Sequence, residues 1–119
     1  MLSYRPGVDE NLEISPEAVA DRRRAGGIDL VDVREPYEWE AGRIGGARHI
    51  ELQSVAAQAP TIDRERPVVF YCRVGARSAM AAGAFRRAGY DAYSMAGGIE
   101  AWAEKGLPLE PEDGEVAPH

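Results

Sequence analysis

The sequence holds a single cysteine, Cys72, followed at once by Arg73-Val74-Gly75-Ala76-Arg77-Ser78. The thiolate form of cysteine is the nucleophile, so chemistry here depends on what stabilises negative charge on the sulfur. Pro67-Val68-Val69-Phe70-Tyr71 is a short apolar run rich in β-formers and reads as a buried strand ending at the cysteine. Ser78 opens an alanine-rich helix in which Met80, Ala81, Ala84, Phe85 and Ala88 recur at helical spacing as the buried face. Arg86 and Arg87 lie off that face, and Gly89 ends the helix. Cys72 is therefore placed on a tight strand-to-helix loop, where backbone N–H groups converge and the helix dipole adds partial positive charge. Arg73 and Arg77 add full charges. A lone cysteine is more often an inert core residue that packs as a small hydrophobe. An inert residue has no need of a glycine three positions on, two arginines and a helix N-terminus, so the loop reads as the setting of a nucleophile.

A chain of 119 residues fits one domain, which buries about two-thirds of the surface its unfolded form exposes. Residues 1–10 read as a flexible lead-in, 11–109 as the folded unit, and 110–119 as an acidic, proline-containing tail expected to be mobile. The formal net charge of −6 argues against nucleic acid or an anionic membrane as partner. One cysteine excludes an intrachain disulfide and a cysteine-rich zinc site, and no metal or organic cofactor is expected. The first residues lack the apolar core of a signal peptide, and no apolar run is long enough to cross a bilayer, so the expected location is cytoplasmic.

The elements that must hold the loop follow the same pattern of short strands alternating with helices. Asn11 to Ile14 reads as a short edge strand, and Ser15-Pro16-Glu17 as a helix start with Ser as cap and Pro in the first turn. Arg22, Arg23 and Arg24 lie near that helix's end, where cations are favoured, before Gly26-Gly27. Ile28 to Val33 is a second buried strand, and Glu35 to Ala41 a short helix. Asp32, Arg34 and Glu38 cluster there as supporting residues, with Arg34 and Glu38 spaced either to pair on the surface or to brace the neighbouring loop. A glycine-rich turn, Gly42 to Ala47, leads into a brief edge strand at Arg48-His49-Ile50. It lacks the pattern of a phosphate-binding loop, and His49 has no second histidine or cysteine to make a metal site. Glu51 to Ala59 reads as a helix ended by Pro60, Asp91 to Met95 as a strand, and Ile99 to Lys105 as a helix. This alternation implies an α/β fold: a mostly parallel sheet with helices on both faces. Function in such sheets gathers at the carboxyl ends of strands, where Cys72 and Arg34 both fall.

From about Ile14 to Leu109 the chain resembles the single-domain rhodanese, or thiosulfate sulfurtransferase, family. Four blocks carry the likeness: Leu30 to Arg34 with Glu38-Trp39; Gly42 to Ala47; the loop Cys72 to Ser78; and Gly97-Gly98-Ile99 with Trp102. The second departs from the usual Gly-His-Ile-Pro-Gly-Ala, with Arg43 and Gly45 in place of His and Pro, a change that loosens the turn. The resemblance implies a five-stranded parallel sheet and a persulfide on Cys72 during turnover. The expected chemistry is attack by the Cys72 thiolate on a sulfane donor such as thiosulfate, then transfer of sulfur to cyanide, a thiol or a protein acceptor. The amides of residues 73 to 77 are expected to cradle the persulfide, and Arg73 and Arg77 to attract the anion or, for Arg77, to brace the loop.

Two rival readings differ in class. A sulfur-carrier or protein-binding module without turnover would keep the fold, though binding modules of this family commonly lack the cysteine. Cysteine phosphatases and some arsenate reductases place five residues between cysteine and arginine; here there are four, Arg73 to Ala76, and the tighter loop goes with sulfur. Phosphate chemistry also needs a general acid, for which Asp32 and Glu38 are the only nearby candidates.

Overall fold

The computed structural model describes residues 12–119, so the lead-in expected over residues 1–10 lies outside the described residues. Five strands, β1 (Glu13–Ile14), β2 (Asp29–Asp32), β3 (Arg48–His49), β4 (Val68–Tyr71) and β5 (Ala92–Met95), form one parallel sheet in the order β1-β5-β4-β2-β3. The sheet is the one expected. β4 is central and buried at all four positions, which is why it is an unbroken apolar run with no polar face. Val68 and Phe70 face one core, with Val31, Val33 and Phe85. Val69 and Tyr71 face the other, with Val19, Ile99 and Trp102. Carrying the two-residue alternation one step past β4 puts Cys72 in the first core.

Helices α3 (Leu52–Val55) and α4 (Ala76–Arg87) cover that first face, and α1 (Pro16–Arg24) and α5 (Gly98–Glu104) the second. The start of α1 is set locally: Ser15 Oγ accepts from the Ala18 amide at 3.1 Å, and Pro16 fills the first helical position. α2 (Pro36–Ala41) follows β2 and carries Glu38.

Two helices differ from the sequence expectation. The helix expected from Glu51 to Ala59 stops at Val55 and resumes as a 3-10 turn at Ala59–Thr61. Only Val55 of α3 is buried, too narrow an apolar face to sustain a longer helix. α4 starts at Ala76 rather than Ser78, and its buried face is Ser78, Ala81, Ala82 and Phe85. Met80, which the sequence reading put inside, is 67% exposed, and Ala84 and Ala88 are exposed as well. Phe85 fixes the face, since residues three, four and seven before it share its side while Met80 lies round the back. Arg86 is not free on the surface: its Nε donates to the Ala92 carbonyl at 2.6 Å and its guanidinium lies 4.9 Å over the Tyr93 ring.

The segment after Leu109, expected to trail away, is pinned to the glycine-rich turn. Arg43 and Glu110 exchange backbone hydrogen bonds of 2.9 and 2.7 Å, and the Glu115 amide donates to the Ala41 carbonyl at 2.8 Å. A Cβ on Gly42 would lie 2.4 Å from the Glu115 carbonyl oxygen, so a side chain there would displace the segment. Arg43 stacks over Trp39 at 5.1 Å, which steadies a turn that Gly45 was expected to loosen.

A charged pair is sealed beneath this turn. Asp32 and Arg34 are both 0% exposed, joined by Nε bonds of 3.0 and 3.1 Å and an Nη2 bond of 2.7 Å, and Arg34 Nη2 also donates to the Gly42 carbonyl at 2.7 Å. Removing one partner strands the other charge in the interior. Arg34→Met is therefore expected to lower stability by about 3–5 kcal/mol, and Arg34→Met with Asp32→Leu by much less, as read from urea unfolding midpoints.

Candidate functional site

Cys72 leaves the end of β4 and is 1% exposed, at the floor of the loop that climbs into α4. Gly75 makes that climb possible: its φ of +113° lies in the region other residues avoid. The turn brings the Gly75 amide to 3.1 Å from Cys72 Sγ. The Ser78 amide, in the first turn of α4 and without a helical acceptor, reaches the same sulfur at 3.4 Å, and Ser78 Oγ lies 3.5 Å away. The sulfur therefore receives two backbone donors at the positive end of a helix, an arrangement that stabilises negative charge. At Sγ itself the donating amides are those of Gly75 and Ser78, the second of which lies outside the 73–77 range expected to cradle the persulfide's outer sulfur.

The loop's carbonyls are drawn to the opposite side. The Ile99 amide donates to the Cys72 carbonyl at 2.9 Å and the Glu100 amide to the Arg73 carbonyl at 3.0 Å, so the first turn of α5 holds the loop from behind. Such an approach requires Gly98, whose Cβ would sit 2.3 Å from the Arg73 carbonyl oxygen and 2.6 Å from that of Cys72. Gly97 and Gly98 both have positive φ, at 72° and 63°. In the sequence this pair stands out only within the block Gly97-Gly98-Ile99; its contact with the loop had no local signal.

Both loop arginines are engaged by carboxylates. Arg77 Nη1 and Nη2 reach the two oxygens of Glu38 at 2.8 and 3.1 Å, and Arg73 Nη2 meets Glu100 at 3.0 Å. Arg34, spaced to pair with Glu38, pairs instead with Asp32, and Glu38 turns to the loop. Glu38 also accepts from the Glu35 amide at 2.9 Å. Burial acts to raise the Glu38 carboxyl, but the Arg77 and Glu35 hydrogen bonds outweigh it and hold the group below the usual carboxylate range. The same Glu38 bond raises Arg77 above its ordinary value, with the Cys72 sulfur among the smaller contributors. Val74, 48% exposed, and Ala76 form the loop's outer crest.

A separate polar cavity of about 280 Å³ lies along β3, lined by Arg48, His49, Ile50, Glu51, Ser54 and Gln58, and includes no loop residue. His49 is stacked on Trp39 at 5.0 Å and its Nε2 is 2.7 Å from the Arg34 carbonyl oxygen, as befits a packed residue rather than a ligand. Among the described residues no group of acidic, cysteine or histidine side chains is arranged to hold a metal, and no helix is long and apolar enough to cross a membrane.

Residues 15–105 match the Rhodanese-like domain family. A thiosulfate sulfurtransferase GlpE of Pseudomonas aeruginosa is 38% identical over 104 residues, covering 87% of this chain and 93% of that protein. Among solved structures, a rhodanese-related protein from Thermoplasma volcanium superposes with a TM-score of 0.76 at 26% identity, covering 82% of this chain and 95% of the other. A Rhodopseudomonas palustris protein described as a possible tyrosine phosphatase has a TM-score of 0.70 at 28% identity, over 81% of this chain and 82% of its own.

Two outcomes test the geometry. Gly98→Ala is expected to destabilise the fold and to slow alkylation of Cys72, because the new methyl group must push α5 off the loop carbonyls; thermal unfolding and iodoacetamide labelling read the two effects. A carboxyl lowered in the fold contributes stability that is whole above its unfolded pKa of about 4.3 and is lost as pH falls through the lower folded value. Stability should therefore decline with acid below about pH 4.3, and Glu38→Gln should be less stable at neutral pH and show a shallower decline in that window.

Proposed function

The chain belongs to the rhodanese-like domain family, and on that footing we propose that it is a sulfurtransferase working through a persulfide on Cys72. The observation that carries this reading is the pair of amides, Gly75 and Ser78, aimed at Cys72 Sγ. The thiolate attacks the outer sulfur of thiosulfate; the S–S bond of the donor breaks, sulfite leaves with the bonding electrons, and the outer sulfur remains on Cys72 as an anionic persulfide. The S–S bond carries that sulfur about 2 Å beyond Sγ, and the remaining loop amides of residues 73 to 77 are the donors we assign to it. Cyanide or a thiolate then attacks it, and Cys72 departs as thiolate, ready for another donor. Each half-reaction conserves charge and needs no metal or organic cofactor, and the kinetics are ping-pong.

The arginines divide the work. Arg77, bound in a fork by Glu38, braces the loop while adding positive potential near the sulfur. Arg73, one-third exposed on its side chain and held by a half-exposed Glu100, draws the dianionic donor to the loop and steadies the departing sulfite. The acceptor that takes the sulfur is cyanide or a thiol, carried by a small molecule or by a protein.

A phosphatase reading finds little support. The two groups that would serve as general acid are committed elsewhere, Asp32 to Arg34 and Glu38 to Arg77. Only four residues separate Cys72 from Arg77, and Arg77 already holds a carboxylate where a phosphate would need it.

Incubation with thiosulfate is expected to add the mass of one sulfur atom to Cys72, and addition of cyanide to remove it as thiocyanate. Cys72→Ser should lower thiocyanate release by about 10³ or more. Absence of the sulfur adduct with every sulfane donor tried would overturn the enzyme reading and leave a binding module.

A further inference from the structure

Beneath the thiol lie two hydroxyls buried in an apolar setting. Ser94, on β5 and 0% exposed, has its Oγ 2.8 Å from Ser78 Oγ, and Ser78 is 0% exposed as well. Ser78 Oγ in turn stands 3.2 Å from the Gly75 carbonyl oxygen and 3.5 Å from Cys72 Sγ. A hydroxyl has one proton to give, so these contacts cannot all be donations by Ser78.

We propose that Ser94 is a positioning residue for sulfur transfer, donating to Ser78 Oγ and so leaving the Ser78 proton free to turn onto the Cys72 sulfur as negative charge forms there. The inference rests on Cys72 being the nucleophile. Among the described contacts Ser78 is the hydroxyl partner of Ser94, so the Ser94 proton has Ser78 as its acceptor. In the opposite order Ser78 would spend its proton on Ser94, leaving the Ser94 proton in the core without an acceptor and the sulfur without a hydroxyl donor. With Ser94 donating, the Ser78 proton has two acceptors. The Gly75 carbonyl already accepts the Ala79 amide at 3.0 Å and loses little when Ser78 turns away. The sulfur gains a third donor beside the Gly75 and Ser78 amides, and a hydroxyl that is itself accepting a hydrogen bond donates more strongly. The chain Ser94 to Ser78 to Cys72 thus answers charge on the sulfur when it is a thiolate and relaxes toward Gly75 when it is not.

The test is a double-mutant cycle read by the pH–rate profile of Cys72 alkylation with iodoacetamide, a reaction that needs no sulfur donor. Ser94→Ala is expected to move the profile to higher pH and to slow alkylation on its acid side by about three- to tenfold. Made in a Ser78→Ala background, the same change should have no further effect, because Ser94 acts through Ser78. Ser94→Thr and Ser94→Val have the same shape and differ in the hydroxyl; Thr should keep the native profile and Val reproduce the alanine shift, which decides the matter even if Ser94→Ala does not fold. Equal profiles for Thr and Val, or an undiminished Ser94 effect without Ser78, would overturn the proposal. Sulfur loading of the unaltered protein separates the premises: failure to load defeats the sulfurtransferase reading, while the cycle still reports whether Ser94 steers Ser78.

Discussion

Two hydrogen bonds made on the far side of the Cys72 loop decide what the near side can do. A peptide unit is planar, and its N–H and C=O point in opposite directions. By taking the carbonyls of Cys72 and Arg73, the Ile99 and Glu100 amides turn the amides of Arg73 and Val74 away from α5, and the backbone swing at Gly75 completes the concave arc. The loop thus owes its polarity to another helix. That helix can approach only because residue 98 has no side chain. The arrangement also pairs four backbone groups at once, since the first amides of α5 have no helical acceptor and the loop carbonyls no strand partner there.

The charge at the site is balanced more closely than the sequence suggests. Arg73 and Arg77 each face a glutamate, and Asp32 and Arg34 cancel one another a few residues from Glu38. Full positive charges standing unpaired around a buried sulfur would be costly to desolvate and would repel each other. What remains is a field made mostly by oriented dipoles, the Gly75 and Ser78 amides and the axis of α4. Fixed dipoles of this kind need no reorganisation when negative charge develops on the sulfur, and ions in solution screen them little.

The parts of this design that were legible in the sequence are those with a local cause. The apolar run of β4, the Ser15 cap and the glycine after Cys72 each announce themselves within a few residues, and the strand–helix alternation is enough for the parallel sheet. What escaped is pairing over distance. The Arg34–Glu38 spacing pointed to one ion pair, whereas burial favoured two others, because Asp32 lies alongside Arg34 on the same strand end and Arg77 arrives over Glu38 from α4. The face of α4 was misread for a different reason: alanines carry almost no directional information, and Met80 looked apolar enough to be inside. Ser94 gave no sign at all, since a serine in a short strand reads as ordinary until its neighbour in space is known.

The C-terminal segment gains a meaning from the same network. Its hydrogen bonds to Ala41 and Arg43 clamp the two sides of Gly42, whose carbonyl accepts from Arg34 and whose amide donates to the Glu38 carbonyl at 3.3 Å. Glu38 is thereby fixed at both its backbone and its carboxylate, and the carboxylate is what holds Arg77 beside the thiol. The substitutions at Arg43 and Gly45 belong to this clamp. A Cβ at position 45 would lie 2.5 Å from the Glu110 carboxylate, and Arg43 supplies both backbone partners of Glu110 while its side chain donates to the Trp39 carbonyl at 3.1 Å. A turn that would be loose on its own is made firm by a segment that passes over it. The departure from the family's usual Gly-His-Ile-Pro-Gly-Ala and the docking of the acidic tail are therefore one structural solution, in which tertiary contact replaces the rigidity of a proline.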